Sequence, residues 1–145
     1  VSNGQLNVGV GKRLVAQIFD LIVITVIFWF IGGLVAIIYG EGGFGGFQMT
    51  GTPALTANLT TLFLVFLYFT VLEARDGQTL GKKIIGIRVV NDDGSPMNLE
   101  TSAVRNVLRI IDALGFYLIG AILIWTSSKK QRLGDMVAGT VVIEA

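Results

Sequence analysis

Residues 12–39 read KRLVAQIFDLIVITVIFWFIGGLVAIIY. From Leu21 to Ile38, fifteen of eighteen residues are apolar and none is charged, the exceptions being Thr25, Gly32 and Gly33. At about 1.5 Å per residue, a helix over 14–39 is roughly 39 Å long, more than the ~30 Å hydrocarbon core of a bilayer, so it reads as a tilted span or one that starts below the interface. A second uncharged run, 54–72, is dense in apolar residues from Leu62 onward, and Thr52 and Pro53 read as its N-cap and first helical position. The third apolar stretch, 103–126, carries Arg105, Arg109 and Asp112 in its first half and Gly115 and Gly120 in its second. Its charge-free part is about 24 Å of helix, in the range of re-entrant or interfacial segments. Residues 1–12 lack the plan of a cleaved signal peptide, so the first helix is expected to stay as an anchor.

Composition agrees with this pattern. The 145 residues are 52% hydrophobic and 14% charged, where a soluble domain carries about 25% charged residues. The formal net charge is +1, with no bulk basic field to attract nucleic acid. The chain contains neither Cys nor His. Disulfides, thiolate nucleophiles, Cys/His metal sites and imidazole catalysis are thereby excluded. Residues 40–45 fit G-x-G-x-x-G formally but follow an apolar helix rather than a strand, which removes them as a nucleotide site. With no G-x-S-x-G setting and no phosphate-cradling lysine loop, the reading is a non-enzyme without cofactor or metal.

Basic residues set the expected orientation. Lys12 and Arg13 precede the first helix; Arg75, Lys82, Lys83 and Arg88 follow the second; Lys129, Lys130 and Arg132 follow the third stretch; and 40–53 has no basic residue. All three basic segments lie on the cytoplasmic side if two helices cross fully and 103–126 dips in and returns. A plain three-span protein with its C-terminus outside is the alternative. The β-branched runs 87–91 and 140–144 are expected to pair as two strands. The expected fold is therefore an all-α membrane protein with two full transmembrane helices, about 13–39 and 54–73, and a third re-entrant or short membrane helix, about 103–126. A single cytoplasmic cap, 74–102 and 127–145, would contain the strand pair. Thr79 to Ile85 reads as a short amphipathic helix, Asn98 as the cap of the helix carrying Arg105, and the glycine-rich 40–51 as a flexible connection.

Polar residues inside these segments are the candidate functional groups. Arg13, Gln17 and Asp20 share one face of the first helix. A carboxylate near hydrocarbon is costly unless paired or hydrated, so Asp20 reads either as a proton- or cation-binding group or as the fixed partner of an arginine. Arg105 and Arg109 lie on one helical face, with Asp112 three residues beyond Arg109. They read as counter-charges for Asp20 or Asp135, or as snorkelling arginines. Gly32, Ala36 and Gly40 form a small-residue stripe that permits close helix packing within the chain or between protomers.

Four pieces in order, KRLVAQIFD (12–20), GQTLGKKIIGIRVV (77–90), the pair Arg105 and Arg109, and RLGD (132–135) followed by AGTVV (138–142), resemble the RDD family of small bacterial and archaeal integral membrane proteins. The resemblance runs from about 11 to 143 and puts the family's arginine and two aspartates on Arg13, Asp20 and Asp135. Gly134 stands where the family usually has histidine, and Asp112 where it is usually apolar. The resemblance implies a multi-pass protein of the cytoplasmic membrane with transport as its suggested role and cation/proton antiport proposed for some members. Two or three helices cannot enclose a hydrated pathway alone, so transport implies a homo-oligomer or a larger membrane complex. The other expectation is a non-catalytic accessory or assembly subunit. Arg13 is expected to pair with Asp135 or Asp20, with Arg109 close by, and Asp20, Asp135 and Asp112 are the ion- or proton-binding candidates.

Overall fold

The computed structural model describes residues 8–43, 46–114, 122, 124, 126 and 131–145. The chain divides into two compact units, Val1–Asp20 with Tyr68–Ala145, and Leu21–Leu67. Two long helices contribute to both: α1 (Val10–Tyr39) and α2 (Gly51–Asp76). Each starts three residues before the boundary expected from sequence, and α2 also ends three residues later, within the usual fraying of such limits. Both are long and apolar enough to cross a membrane, with only 22% and 17% of their most apolar windows buried in the chain. A core helix of a soluble domain would be mostly covered.

The second unit, 21–67, has a small apolar core of Ile31, Val35 and Ala57, flanked by Ile27, Met49 and Leu64. Phe30 and Ile37 are 69% and 76% exposed, and Trp29, Ile22, Leu59 and Phe63 also point outward. The glycine-rich connection is not simply loose: β1 (Gly42–Gly43) pairs antiparallel with β2 (Gly46–Phe47), a second strand pair that the sequence reading lacked. Glu41 N–H donates to the Ala36 carbonyl at 2.8 Å. In the small-residue stripe, Gly32 and Ala36 are buried while Gly40 is exposed.

The first unit contains the expected sheet. Strands β3 (Ile87–Asn91) and β4 (Thr140–Glu144) pair antiparallel, from Ile87↔Glu144 to Asn91↔Thr140. An isolated two-stranded ribbon is marginal in water, but this one is covered on both faces. Ile87, Val89 and Val142 pack with Val8, Ala16 and Met97, while Val90, Val141 and Ile143 form a separate cluster. Its outer edges are also bonded, by Val89 N–H to the Gly77 carbonyl (2.7 Å) and Val8 N–H to the Val142 carbonyl (2.9 Å). Gly77 has φ +70°, and a Cβ there would lie 2.4 Å from the Val89 oxygen, so only glycine permits that approach.

Short elements complete this unit: α3 (Leu80–Ile85), α4 (Leu99–Leu114) and α5 (Leu133–Val137). Thr79 caps α3, and Asn98 caps α4 by accepting from Thr101 N–H at 2.8 Å. Helix α4 begins four residues before the expected 103 and is described to Leu114, so whether the chain beyond it crosses or re-enters lies outside the described residues. It is inverted relative to a soluble helix. Ser102, Arg105, Asn106 and Arg109 face inward, while Val104 and Val107 are exposed.

Candidate functional site: a buried charged cluster

The inward face of α4 meets the polar residues of α1 and α2 inside the first unit. Arg105 lies between two fully buried carboxylates. Its Nε donates to Glu73 Oε2 at 3.1 Å, and its Nη1 bonds Asp135 Oδ1 and, at 3.0 Å, Thr140 Oγ1. Arg13 Nη1 reaches the other Asp135 oxygen at 2.6 Å, and Arg13 Nε holds the Val8 carbonyl at 3.1 Å. Asp135 also accepts from the backbone N–H of Arg132 at 3.1 Å, capping the first turn of α5. One carboxylate thereby ties α1, α4 and α5 together beside β4.

Glu73 gathers more donors. Lys82 Nζ bonds its Oε1, Arg109 Nη2 donates to the same oxygen at 3.0 Å, and Asn106 Nδ2 donates to Oε2 at 3.2 Å. Arg109 in turn stacks on Phe69, 3.8 Å from the ring centre, a favourable place for a desolvated guanidinium. Breaking one partner of a buried ion pair usually costs about 3–5 kcal/mol, because the other charge is left uncompensated. Here each carboxylate has several partners.

Asp20 occupies an adjoining position with uncharged donors. It accepts from Thr79 Oγ1 (2.6 Å), Tyr68 Oη (2.8 Å) and Gly81 N–H (2.9 Å). Leu80 N–H donates to Tyr68 Oη at 3.2 Å, and Lys82 N–H to Thr79 Oγ1 at 3.3 Å. The first three N–H groups of α3, which no helical carbonyl can satisfy, all find partners here. A carboxylate at a helix start is also favoured by the backbone dipoles. Gly81 makes this possible by close approach: a Cβ would fall 2.1 Å from the Ala16 carbonyl oxygen and 2.9 Å from Asp20 Cγ.

Electrostatics separate two groups outside the long helices. Burial alone would raise the Asp135 carboxyl, but Arg105, Arg132, Arg13 and the Arg132 N–H outweigh it and hold the group well below the usual carboxylate range. Burial is also the largest influence on Lys82, and with Arg105 and Arg109 it brings the ammonium down to about 7 against the attraction of Glu73.

Of the residues singled out in the sequence, Arg13, Arg105, Arg109 and Asp135 join one network, and Asp20 adjoins it through α3. Of the two partners expected for Arg13, Asp135 is in contact, and Arg109 is linked to it through Glu73 and Arg105. Gln17 is half-buried on α1. Asp112 lies on α4, with its side chain outside the described residues. Sequence reading missed Glu73, Lys82 as a buried group, Tyr68, Thr79 as a ligand of Asp20, and Asn106. Gly134 packs on α4, where a Cβ would come within 2.8 Å of the Arg105 carbonyl oxygen. A larger residue there requires α4 or α5 to shift. Among the described residues, no group of three or more acidic side chains is placed to hold a metal ion.

The chain is 34% identical over 90 residues to the uncharacterised protein YxaI of Bacillus subtilis (strain 168), covering 61% of this chain and 58% of that one. It is 40% identical over 73 residues to the uncharacterised protein YckC of the same strain, covering 48% of each. Identity is 30% over 86 residues to the uncharacterised protein RP437 of Rickettsia prowazekii (strain Madrid E), covering 59% of this chain and 47% of that one. The matched stretches span about half the length of these relatives. No solved structure matches the chain. The sequence profile of the RDD family matches residues 8–139, nearly all of the segment that builds the cluster, and the chain belongs to that family.

Proposed function

We propose that this chain is a multi-pass integral membrane protein that works in transport, exchanging a cation for a proton as a homo-oligomer. The observation that carries this reading is the buried cluster of mixed charge at the start of α1 and the end of α2. Arg13 and Asp20 of α1 and Tyr68 and Glu73 of α2 belong to one compact unit. Two apolar helices whose polar ends meet in this way suit a hairpin that crosses a bilayer twice. The basic residues of that unit favour a cytoplasmic position for it in a bacterial or archaeal cell. Buried ionisable groups with shifted titration are concentrated at functional sites, and a chain without His needs carboxylate or amine groups to handle protons.

The third element fits the same reading. The exposed valines of α4 suit lipid, while its arginines face inward. Purified protein in liposomes under an imposed pH gradient tests exchange: native protein should couple proton flux to a cation gradient, and Asp20→Asn and Glu73→Gln should abolish the coupling. Absence of flux from natively oligomeric protein rejects transport. A second reading, an accessory subunit of a larger membrane complex, is favoured by the wide outward apolar faces of α1 and α2. Recovery of a stoichiometric larger complex from native membranes would support it.

A further inference from the structure

We propose that Lys82 is the proton-exchanging group of the cluster, releasing its ammonium proton to water while Glu73 stays held by Arg105, Arg109 and Asn106. Three cations converge on Glu73: Lys82 from α3, and Arg105 and Arg109 from α4. Guanidiniums do not lose protons under protein conditions, whereas an ammonium in a desolvated site does so readily. Lys82 is therefore the one member of this trio able to relieve the crowding of positive charge. The carboxylate is not stranded when it does, because three donors remain on its two oxygens.

The charged groups around Lys82 support the same assignment. From α2 it faces Glu73, and from α4 it faces Arg105 and Arg109. Asp20 of α1 is engaged one residue away by the Gly81 N–H, together with the Tyr68 hydroxyl. Asp135 of α5 is occupied by Arg105 and Arg13. The neighbouring Lys83 shows the contrast: its side chain is 44% exposed and pairs with Asp76 at 2.6 Å, so of two adjacent lysines that each pair with a carboxylate, one is buried in the cluster and the other is open to solvent.

Loss of the proton also changes how α3 is fastened. The helix is tied to α1 through Asp20 and to α2 through the Lys82–Glu73 pair, with the Lys83–Asp76 pair and the Leu80 N–H bond to Tyr68 Oη as further ties to α2. A neutral amine leaves the first tie intact and weakens the second, so protonation alters the hold of α3 on the end of α2. As a step in exchange this assignment rests on the function proposed above; the titration itself does not.

The test is NMR of the full chain in nanodiscs with labelled lysines, following the five side-chain resonances between pH 5 and 11. Through-bond connection to the backbone assigns Lys82 without a substitution. The expected result is a Lys82 midpoint of about 7, well below the ordinary lysine value of about 10.4. In Glu73→Gln the midpoint should fall by a further unit or more. A Lys82 midpoint at the ordinary lysine value overturns the proposal, whether or not the liposomes show proton flux. A midpoint of about 7 in a protein that moves no protons upholds the site and rejects transport.

Discussion

The two units of this chain invert each other. In the unit of 21–67, Glu41 is the one charged residue, a few aliphatic side chains make the core, and phenylalanine, tryptophan and isoleucine face outward. In the other unit, arginine, aspartate and glutamate are buried while valines of α4 face outward. The apolar unit can be held by nonspecific apolar packing, which tolerates rearrangement. The charged unit depends on donors and acceptors at fixed geometry, where one missing partner leaves a buried charge. Sensitivity to substitution should therefore be concentrated in the charged unit.

Arg105→Met makes the largest test. It keeps the side-chain volume but strips Glu73 and Asp135 of their shared partner, and should lower stability by about 3–5 kcal/mol. Phe30→Ala, 69% exposed in the other unit, should stay within about 0.5 kcal/mol. Chemical unfolding in one detergent compares them. A costlier Phe30→Ala would break the contrast and make the outward aromatic face an interface that holds the assembly together.

Acid and base should act on the charged unit. Unfolded lysine keeps its proton to about pH 10.4, whereas Lys82 releases it at about 7 when folded. Between these values the folded chain binds fewer protons, so stability should rise with pH across that window. At the acid end the sign is also fixed. Asp135 remains ionised in the folded chain below the point, about 3.9, where the unfolded carboxyl takes up a proton, so stability should fall as the pH drops below it. Unfolding midpoints at fixed temperature measure both limbs, and a flat profile from 7 to 10 contradicts the Lys82 setting.

Glycines sharpen the comparison at smaller scale. Gly81→Ala drives a methyl into the backbone of α1 and should cost about 1–3 kcal/mol. Gly33→Ala meets nothing within 4 Å and should be neutral or stabilising by up to about 1 kcal/mol. Tyr68→Phe removes one of three donors to Asp20 while keeping the ring, with an expected loss of about 1–2 kcal/mol. Full retention of stability would show that water replaces the phenol there.

How much of this was legible beforehand follows from the length of each signal. The apolar runs and the β-branched segments 87–91 and 140–144 are long enough to declare period and partner. Residues 42–43 and 46–47 are mostly glycine, which has little strand preference, so their pairing had no signature. Arg13, Asp20, Arg105 and Asp135 stood out because charge interrupts apolar stretches or recurs in ordered motifs. Glu73 did not, since it is followed by Arg75 and Asp76 and resembles the solvated end of a helix. Lys82 was masked by Lys83: in a six-residue helix no periodicity tells which of two adjacent lysines turns inward.

A small effect is expected one residue from one of the larger ones. Lys12 and Arg13 are consecutive on α1, and each bonds an acidic residue near the C-terminus: Lys12 pairs with Glu144, and Arg13 with Asp135. Lys12 and Glu144 are 54% and 55% exposed, against 7% and 1% for the buried pair. An exposed ion pair gains little over hydration and is screened by salt, so Lys12→Ala should cost under about 1 kcal/mol and less still at high ionic strength. Arg13→Ala strips a partner from a buried carboxylate, and salt should not rescue it. Measuring both variants at low and high salt isolates burial from sequence position, because the two residues share a helix turn. Equal costs for the two would mean that water reaches Asp135, and the cluster would then be a surface network rather than a buried one.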